Sequence, residues 1–363
     1  MIRTSHYLFA ALCLGSLFAC SRQFTDSYIV PKWCFAVFML FIVLAYEAVN
    51  ILFYRQNEQK DTRISVYGFI IVISCFLQAM FGVVQFFGFF QISTTLWVTG
   101  SFDNPAGFAA CLCAGFPFVG FLLSDSNKYI RYVGGLIGFV IVIAVILSQS
   151  RAGIMSIAFI CFILLNMKFF HKRWVKYLSL LCFALLLSGC YWMKKDSADG
   201  RLLIWRCSVS MVKDAPWLGH GIGSFEARYM DYQADYFRQY GLNRYSMLAD
   251  NVKHPFNEYL GVLLNFGFVG LLMILALITL LIYCYKKHPC AEKRIAFYSL
   301  ISIGVFSFFS YTFTYPFTWI VTFLCIIILT KEYIAKVFTC PIIKNTVCCL
   351  LYTSDAADEL DGV

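Results

Sequence analysis

The sequence predicts an all-α fold, a polytopic membrane protein of about ten transmembrane helices with one large helical extracytoplasmic loop. Its 363 residues are 60% hydrophobic and 13% charged, whereas soluble domains average about 25% charged residues. Apolar runs close to the ~20 residues needed to cross a bilayer recur along most of the chain. One long polar stretch, residues 194–258, interrupts them.

Ten apolar segments define the predicted organisation. They lie near residues 6–20, 33–54, 64–90, 106–123, 129–147, 153–170, 174–193, 259–285, 295–314 and 317–335. We therefore expect seven spanning helices in residues 1–193, a large loop at 194–258 and three more helices in residues 259–338. The abruptly polar, acidic stretch 351–363 resembles a non-native tail.

Basic residues predict the orientation of the chain. The flanks and short loops on one side hold Arg55, Lys60, Arg63, Lys128, Arg131, Lys168, Lys172, Arg173, Lys176, Lys286, Lys287, Lys293, Arg294, Lys331 and Lys336. Those on the other side hold Arg22, Lys32 and Arg151. The positive-inside rule then puts the N-terminus in the cytoplasm and residues 194–258 outside. The net charge of +9 reflects this distribution and does not indicate a nucleic-acid partner.

Metal and disulfide sites are not expected. Most of the sixteen Cys lie inside apolar runs, where they behave as small hydrophobic residues, and no paired CxxC spacing appears. The loop acids Asp196, Asp199 and Asp214 show no DxD spacing, and scattered carboxylates are more often solvated or ion-paired. We predict no metal and no cofactor.

Two short motifs are expected on the same outer face as the loop. GSFDNPAGFA occupies residues 100–109, and SQSRAG occupies residues 148–153 between two apolar segments. An arginine at a span boundary is costly unless it binds an anion, pairs or extends to the interface. Arg151 is therefore either an anion-binding residue or a snorkelling side chain.

The loop itself contains two helical patterns. GRLLIWRCSVSMVKDAPW predicts an amphipathic helix entered after Gly200, with Arg201 at its start and Arg206 about one turn later. Its apolar positions are Leu202, Trp205, Val209 and Val212. The glycine-rich WLGHGIGSF predicts a tight turn and is only a weak phosphate-loop signal. SFEARYMDYQADYFRQY predicts a second helix, whose Tyr residues suit packing or an interfacial belt better than sugar stacking.

Two of the five histidines, His220 and His254, are predicted outside. His254 precedes the eighth span, so it lies where a lipid-borne substrate presents its head group. Imidazole is the usual general base near neutral pH. The alternative is a solvated or structural histidine.

The order of GSFDNPAGFA, SQSRAG, GRLLIWRC with PWLGHGIGSF, and HPFNEYL with FGFVGLL resembles the O-antigen ligase and O-antigen polymerase superfamily of bacterial membrane glycosyltransferases. The resemblance runs from about residue 65 to about residue 335. It implies a multi-pass enzyme of the bacterial inner membrane with a periplasmic loop, acting on glycans carried by undecaprenyl diphosphate. The resemblance further implies that the acceptor is lipid A core, a glycan or a protein hydroxyl, and that the transfer is inverting and metal-independent.

The resemblance also implies roles for particular residues. Arg151 matches the arginine of the family's SRxG motif, Arg201 the arginine opening the loop helix, and His254 the histidine before the last conserved helix. The chain departs from the family at Ala106, where a second Asn is common. It also departs after His254, where Pro255–Phe256 separates the histidine from Asn257.

The predicted site combines these residues with the chemistry that the reaction needs. A departing diphosphate needs bidentate cationic donors, and the acceptor hydroxyl needs a base. The predicted residues are His254 and Glu258 for catalysis, Arg151, Arg201 and Arg206 for the diphosphate, and Asn104, Asn257 and His220 in support.

Several functions remain open. We favour transfer to lipid A core over polysaccharide polymerisation and over protein O-oligosaccharide transfer. All three reactions would use the same outer loop, so the choice among them rests on family analogy. A transporter would carry charged or broken helices in repeats. Glu47 is the one acid well within a predicted span, and no repeat is visible. A non-catalytic envelope scaffold is the other alternative.

Overall fold

The computed structural model describes residues 2–53, 64–89, 98–168, 173–193 and 195–339, and its regular structure there is entirely helical. The helices are α1 Ile2–Phe18, α2 Ile29–Phe53, α3 Ile64–Phe86, α4 Pro105–Gly115, α5 Val119–Leu123, α6 Lys128–Leu147, α7 Arg151–Lys168, α8 Arg173–Met193, α9 Lys195–Asp214, α10 Ser224–Tyr240, α11 Glu258–Lys287, α12 Ala291–Phe309 and α13 Pro316–Thr339. Short 3-10 turns occupy Phe116–Phe118, Ser246–Leu248 and Thr312–Thr314. The all-helical prediction is confirmed over this part of the chain.

The protein is a multi-pass membrane protein. Each of the ten predicted segments overlaps a helix. Among the described residues, the segments long and apolar enough to cross a bilayer are Ile29–Val49, Ile64–Phe86, Pro105–Leu123, Lys128–Leu147, Glu258–Lys287 and Pro316–Tyr333. The count of ten spans and the external position of the polar loop therefore stay predictions. The predicted tail, 351–363, lies outside the described residues.

Helix α4 lies at the centre of the bundle. Every residue from Gly107 to Gly115 is buried, and the helix packs against α3, α7, α12 and α13. Small side chains permit this close approach. A Cβ atom on Gly115 would lie 2.2 Å from the Sγ atom of Cys75, so α3 and α4 meet through glycine at this position.

Pro117 ends α4, and serines of α12 compensate for the break. Proline has no N–H to donate to the carbonyl four residues earlier, which belongs to Cys113. The Ser302 hydroxyl donates to that carbonyl over 2.7 Å, and Ser299 donates to the Ala114 carbonyl over 2.7 Å. Both serines are fully buried. A backbone break inside a bilayer requires replacement donors of this kind.

Residues 195–257 form a helical unit with an apolar cluster of its own. Its buried members are Leu203, Ile204, Cys207, Met211, Phe225, Tyr229, Tyr245 and Leu264. The last of these belongs to α11, so the start of that helix ties the unit to the bundle. α9 and α10 also pack directly on α11.

Two predictions about α9 were wrong. The helix begins at Lys195 rather than after Gly200, because Asp196 in its first turn interacts favourably with the helix dipole and one glycine is tolerated inside. Arg201 thus lies in the second turn. The buried stripe passes through Leu203, Cys207 and Met211. Of the predicted apolar positions, Trp205 and Val212 pack against this cluster, while Leu202 and Val209 are exposed.

The connections around the predicted outer face contact one another. Lys32 is fully buried, and its Nζ atom donates to the carbonyls of Ala19 and Ser101, each over 2.9 Å. The Trp33 indole donates to the Thr314 carbonyl over 2.8 Å. These bonds join the α1–α2, α3–α4 and α12–α13 connections at one end of the bundle. The opposite end carries the ion pairs Lys293–Glu332 and Lys331–Glu292.

Candidate active site

A pocket of about 170 Å³ opens between the start of α11 and the connection from α12 to α13. Its lining comprises His254, Pro255, Asn257, Glu258, Tyr311, Phe313 and Thr314. Three predicted residues, His254, Asn257 and Glu258, therefore lie together. Their partners from the α12–α13 connection were not predicted.

The entry into α11 positions the first side of the pocket. Asn257 is the N-cap, and its Oδ1 atom accepts a hydrogen bond from the Leu260 N–H over 3.0 Å. Phe256, directly before it, has φ of 53°, a left-handed conformation that costs a non-glycine residue about 1–3 kcal/mol. Strain of this kind clusters at functional sites.

Glu258 holds the second side of the pocket in place. Its Oε1 atom accepts a hydrogen bond from the Phe313 N–H over 2.8 Å. This bond joins the first residue of α11 to the 3-10 turn Thr312–Thr314. The carboxylate therefore has a positioning contact, and the amide of Asn257 is used as a helix cap.

Tyr311 lies where the predicted residues meet. Its ring stacks on His254 at 4.7 Å and 24°, and contacts Phe256 edge-on at 5.3 Å. Burial raises the pKa of the Tyr311 phenol, so the hydroxyl stays protonated and can donate a hydrogen bond at neutral pH.

His254 is held in its neutral form. Burial lowers the pKa of the imidazole, the Lys253 charge lowers it further, and the Glu226 carboxylate opposes both. A neutral imidazole accepts a proton, as a general base must.

Arg201 approaches the same cluster from α9. Its Nη1 atom donates to the Phe309 carbonyl at the end of α12 over 2.7 Å, and its guanidinium lies 5.1 Å from the centre of the Phe256 ring. Burial, and then the nearby positive charge of Arg151, lower the pKa of Arg201 to about 10. The group remains protonated at neutral pH.

Arg151, the first residue of α7, reaches the same face of α9. Its Nη2 atom donates to the Ser197 hydroxyl over 2.7 Å. Ser197 lies four residues before Arg201, so both are on one side of the helix. Two guanidinium groups and the positive end of α7 are concentrated there, and this arrangement favours the binding of an anion.

Asn104 connects the α4 terminus to this cluster. Its Oδ1 atom caps the helix by accepting from the Gly107 N–H over 3.0 Å. The Tyr315 hydroxyl donates to the same oxygen over 3.2 Å, and the Tyr315 ring lies 6.2 Å from that of Tyr311. Asn104 thus supports the α12–α13 connection.

Arg206 and His220 do not line the pocket. The Arg206 guanidinium lies 5.1 Å from the Tyr245 ring centre and donates to the Tyr236 hydroxyl over 3.4 Å. His220 bonds the Met211 carbonyl through Nε2 over 2.7 Å, so Nε2 carries the proton, and Nδ1 accepts from Arg228 over 3.0 Å. Both side chains hold the 195–257 unit together.

The sequence analysis missed Tyr311 because it extended the ninth span to residue 314, whereas α12 ends at Phe309. The stretch SYTFTYPF, residues 310–317, carries a usable signal. Ser, Thr and two Tyr occur together between two apolar runs, which is typical of a connection at the membrane surface.

No group of three or more His, Cys, Asp or Glu side chains that could hold a metal occurs within the described ranges. Asp214, one of the acids considered earlier, accepts a hydrogen bond from the Tyr232 hydroxyl over 2.5 Å. Every cysteine described has a free thiol.

Comparison with known proteins gives one family match. Residues 136–275 match the family model described as O-antigen ligase. The matched region includes Arg151, Arg201, His254 and Glu258, whereas Asn104 and Tyr311 lie outside it. No curated protein matches the chain.

Proposed function

Because this chain belongs to the O-antigen ligase superfamily, we propose that it transfers a glycan from undecaprenyl diphosphate to lipid A core on the outer face of the bacterial inner membrane. The observation that carries the proposal is that Tyr311 contacts both His254 and Phe256, the ring against which the Arg201 guanidinium packs. A cationic group for the leaving diphosphate and a neutral base for the acceptor are thus close together.

The proposed reaction is a single inverting displacement. The acceptor hydroxyl attacks the anomeric carbon, and the bond between that carbon and the diphosphate oxygen breaks. His254 takes the hydroxyl proton, while undecaprenyl diphosphate leaves with the bonding electron pair. Arg201 and Arg151 stabilise the charge developing on its oxygens, the role for which a guanidinium protonated at neutral pH is suited. The guanidinium charges take the place that a metal ion occupies in other transferases.

The remaining residues position these groups. Glu258 holds the 312–314 turn, Asn257 caps α11, and Asn104 supports Tyr315. Tyr311 orients the His254 ring by stacking. In this proposal Arg206 and His220 stabilise the 195–257 unit, and their effect on the diphosphate is indirect.

The proposed location is supported by these contacts together with the distribution of basic residues. The site elements all lie at the end of the bundle whose short loops are poor in basic residues, which the positive-inside rule assigns to the periplasm. We assign residues 1–193 and 259–338 to the membrane part and residues 194–258 to the periplasmic loop. A lipid-linked donor would meet the pocket at the membrane surface.

A transporter role has less support. Glu47, the acid within a predicted span, has a local partner, because the Ser5 hydroxyl donates to its Oε1 atom over 2.7 Å. Polymerisation and protein O-oligosaccharide transfer use the same chemistry with a different acceptor, so the experiment must separate the three.

The test is deletion of the encoding gene, followed by gel profiles of lipopolysaccharide and of glycoproteins. Complementation uses wild type, Arg201→Ala, His254→Ala and, as a matched control on the same helix, Arg206→Ala. We expect loss of all added glycan on lipid A core, restored by wild type and largely by Arg206→Ala. A single-repeat band would select a polymerase, and loss of glycoprotein signal alone would select protein transfer. Unchanged profiles would refute the transferase proposal.

A further inference from the structure

Helix α11 is broken at Gly267. A turn of the 195–257 unit, called the polar unit below, packs against the break. Gly267 has φ of 61° and ψ of −158°, so the regular hydrogen bonding of the helix stops there. Within a bilayer or at its surface, backbone groups released in this way need other partners.

The turn at residues 216–221 supplies those partners in both directions. The Phe268 and Val269 N–H groups donate to the Pro216 and Trp217 carbonyls over 2.8 and 3.2 Å. The His220 and Gly221 N–H groups donate to the Leu264 and Asn265 carbonyls over 2.7 and 3.1 Å. Four backbone bonds therefore fasten the polar unit to a membrane helix.

Glycine makes this contact possible. A Cβ atom on Gly219 would lie 2.6 Å from the Asn265 carbonyl carbon, and one on Gly267 would lie 2.3 Å from the Trp217 carbonyl carbon. Both glycines have positive φ. The motif WLGHGIGSF thus has a backbone-docking role.

The same turn exposes apolar side chains beside α11. Trp217, Leu218 and Ile222 are 70%, 74% and 83% exposed, although they belong to the polar unit. The Trp217 ring lies 6.1 Å from that of Phe268, and Phe268 is itself an exposed residue of a helix able to cross a membrane. The exposed turn therefore continues the outward apolar surface of α11.

We infer that residues 217–222 are a membrane-interface anchor that inserts into the headgroup region of the lipid bilayer beside α11. Tryptophan with neighbouring aliphatic side chains is the composition favoured at that depth. A second protein chain is the less favoured occupant, because the turn adjoins a surface that faces lipid. The anchor would keep the 195–257 unit, and with it the pocket, at the level of lipid head groups.

The inference depends on α11 crossing the membrane and does not require glycan transfer. It is tested on the full chain in vesicles of phosphatidylethanolamine and phosphatidylglycerol, carrying Ile222→p-benzoylphenylalanine. The same photoreactive residue at Gln239, an exposed polar position on α10, is the negative control, and at Val269 of α11 the positive control. After irradiation, mass spectrometry counts lipid and protein adducts.

We expect several-fold more lipid adducts at position 222 than at position 239, approaching the level at position 269. Adducts to a second copy of the chain, or a lipid yield equal to that at position 239, would overturn the inference. A second measurement uses brominated phospholipids, which should quench less tryptophan fluorescence in Trp217→Phe than in wild type. Equal quenching of the two proteins would also count against the anchor.

Discussion

At the residue scale, the site depends on how its environment sets charge. His254 is a useful base only when neutral, and burial beside Tyr311 favours that form. Arg201 is useful only when charged, and its pKa of about 10 keeps it charged at neutral pH. One buried environment thus holds His254 as a neutral proton acceptor and Arg201 as a cation, because the unperturbed pKa of arginine is so high.

The pH dependence of transfer should follow His254. Protonation removes the base, so the rate should fall as pH falls, with a midpoint below the ordinary value of about 6.5. Lys253→Gln removes a charge that lowers the pKa, so the midpoint should rise. Glu226→Gln removes one that raises it, so the midpoint should fall. Rate profiles of the reconstituted enzyme check this, and two shifts in the same direction would contradict it.

Arg201→Lys should impair transfer even though the positive charge is kept. Lysine lacks the planar fork that holds two oxygens, and loss of one such donor costs about 10²-fold or more in turnover. Arg206→Lys, on the same helix but directed at Tyr245, should change turnover only a few-fold. Steady-state kinetics with a lipid-linked donor make the comparison, and equal losses would remove the distinction between the two arginines.

At the element scale, helix breaks and helix termini do the positioning. α4 ends at Pro117 with its carbonyls bonded by Ser299 and Ser302, while its first turn is capped by Asn104. α11 begins at the Asn257 cap and is broken at Gly267. Three of these points, the end of α4, the Asn104 cap and the break at Gly267, have partners from distant elements, which fixes them relative to the rest of the bundle.

Ser302→Ala tests this dependence. It leaves the Cys113 carbonyl without its side-chain donor, and a buried hydrogen bond between membrane helices contributes about 1 kcal/mol. We expect a lower midpoint of thermal unfolding in detergent. Ser210→Ala, whose hydroxyl bonds the Arg206 carbonyl on an exposed face of α9, should leave the midpoint unchanged. A drop of the same size in both variants would indicate that the α4 break needs no donor from α12.

At the scale of the whole molecule, the site is formed where separate helices end on one face. Asn104 and Tyr315 are 211 positions apart in the chain, and Arg201 and Phe309 are 108 apart. None of these pairs can form unless the bundle is assembled. The pocket is therefore a property of the complete membrane domain together with the polar unit.

The membrane orientation gives a prediction at this scale. Alkaline phosphatase needs disulfides and so becomes active only outside the cytoplasm. Inserted at Gln239 of the polar unit, it should be active, and inserted at Asn127 before α6, it should be inactive. Activity measured in whole cells, normalised to reporter abundance, decides the outcome. The reverse pattern would invert the proposed topology and place the pocket in the cytoplasm.

The sequence alone determined the all-helical membrane class, the place of the polar stretch in the chain and the chemical character of Arg151, Arg201 and His254. Hydropathy is a local property, and spans are read from composition over short windows. The family match at residues 136–275 covers the motifs from SQSRAG to FGFVGLL, whereas GSFDNPAGFA at residues 100–109 lies outside it. The predicted site roles await experiment.

Only the tertiary structure decided which of these side chains meet. Arg201 and Arg206 are five residues apart and chemically alike, yet one packs on Phe256 near the pocket and the other on Tyr245. Tyr311 entered the site because α12 ends earlier than its hydropathy suggests. The direction in which a helical side chain points depends on what the helix packs against, and those partners lie as far as 281 positions away in the chain, as for Trp33 and Thr314.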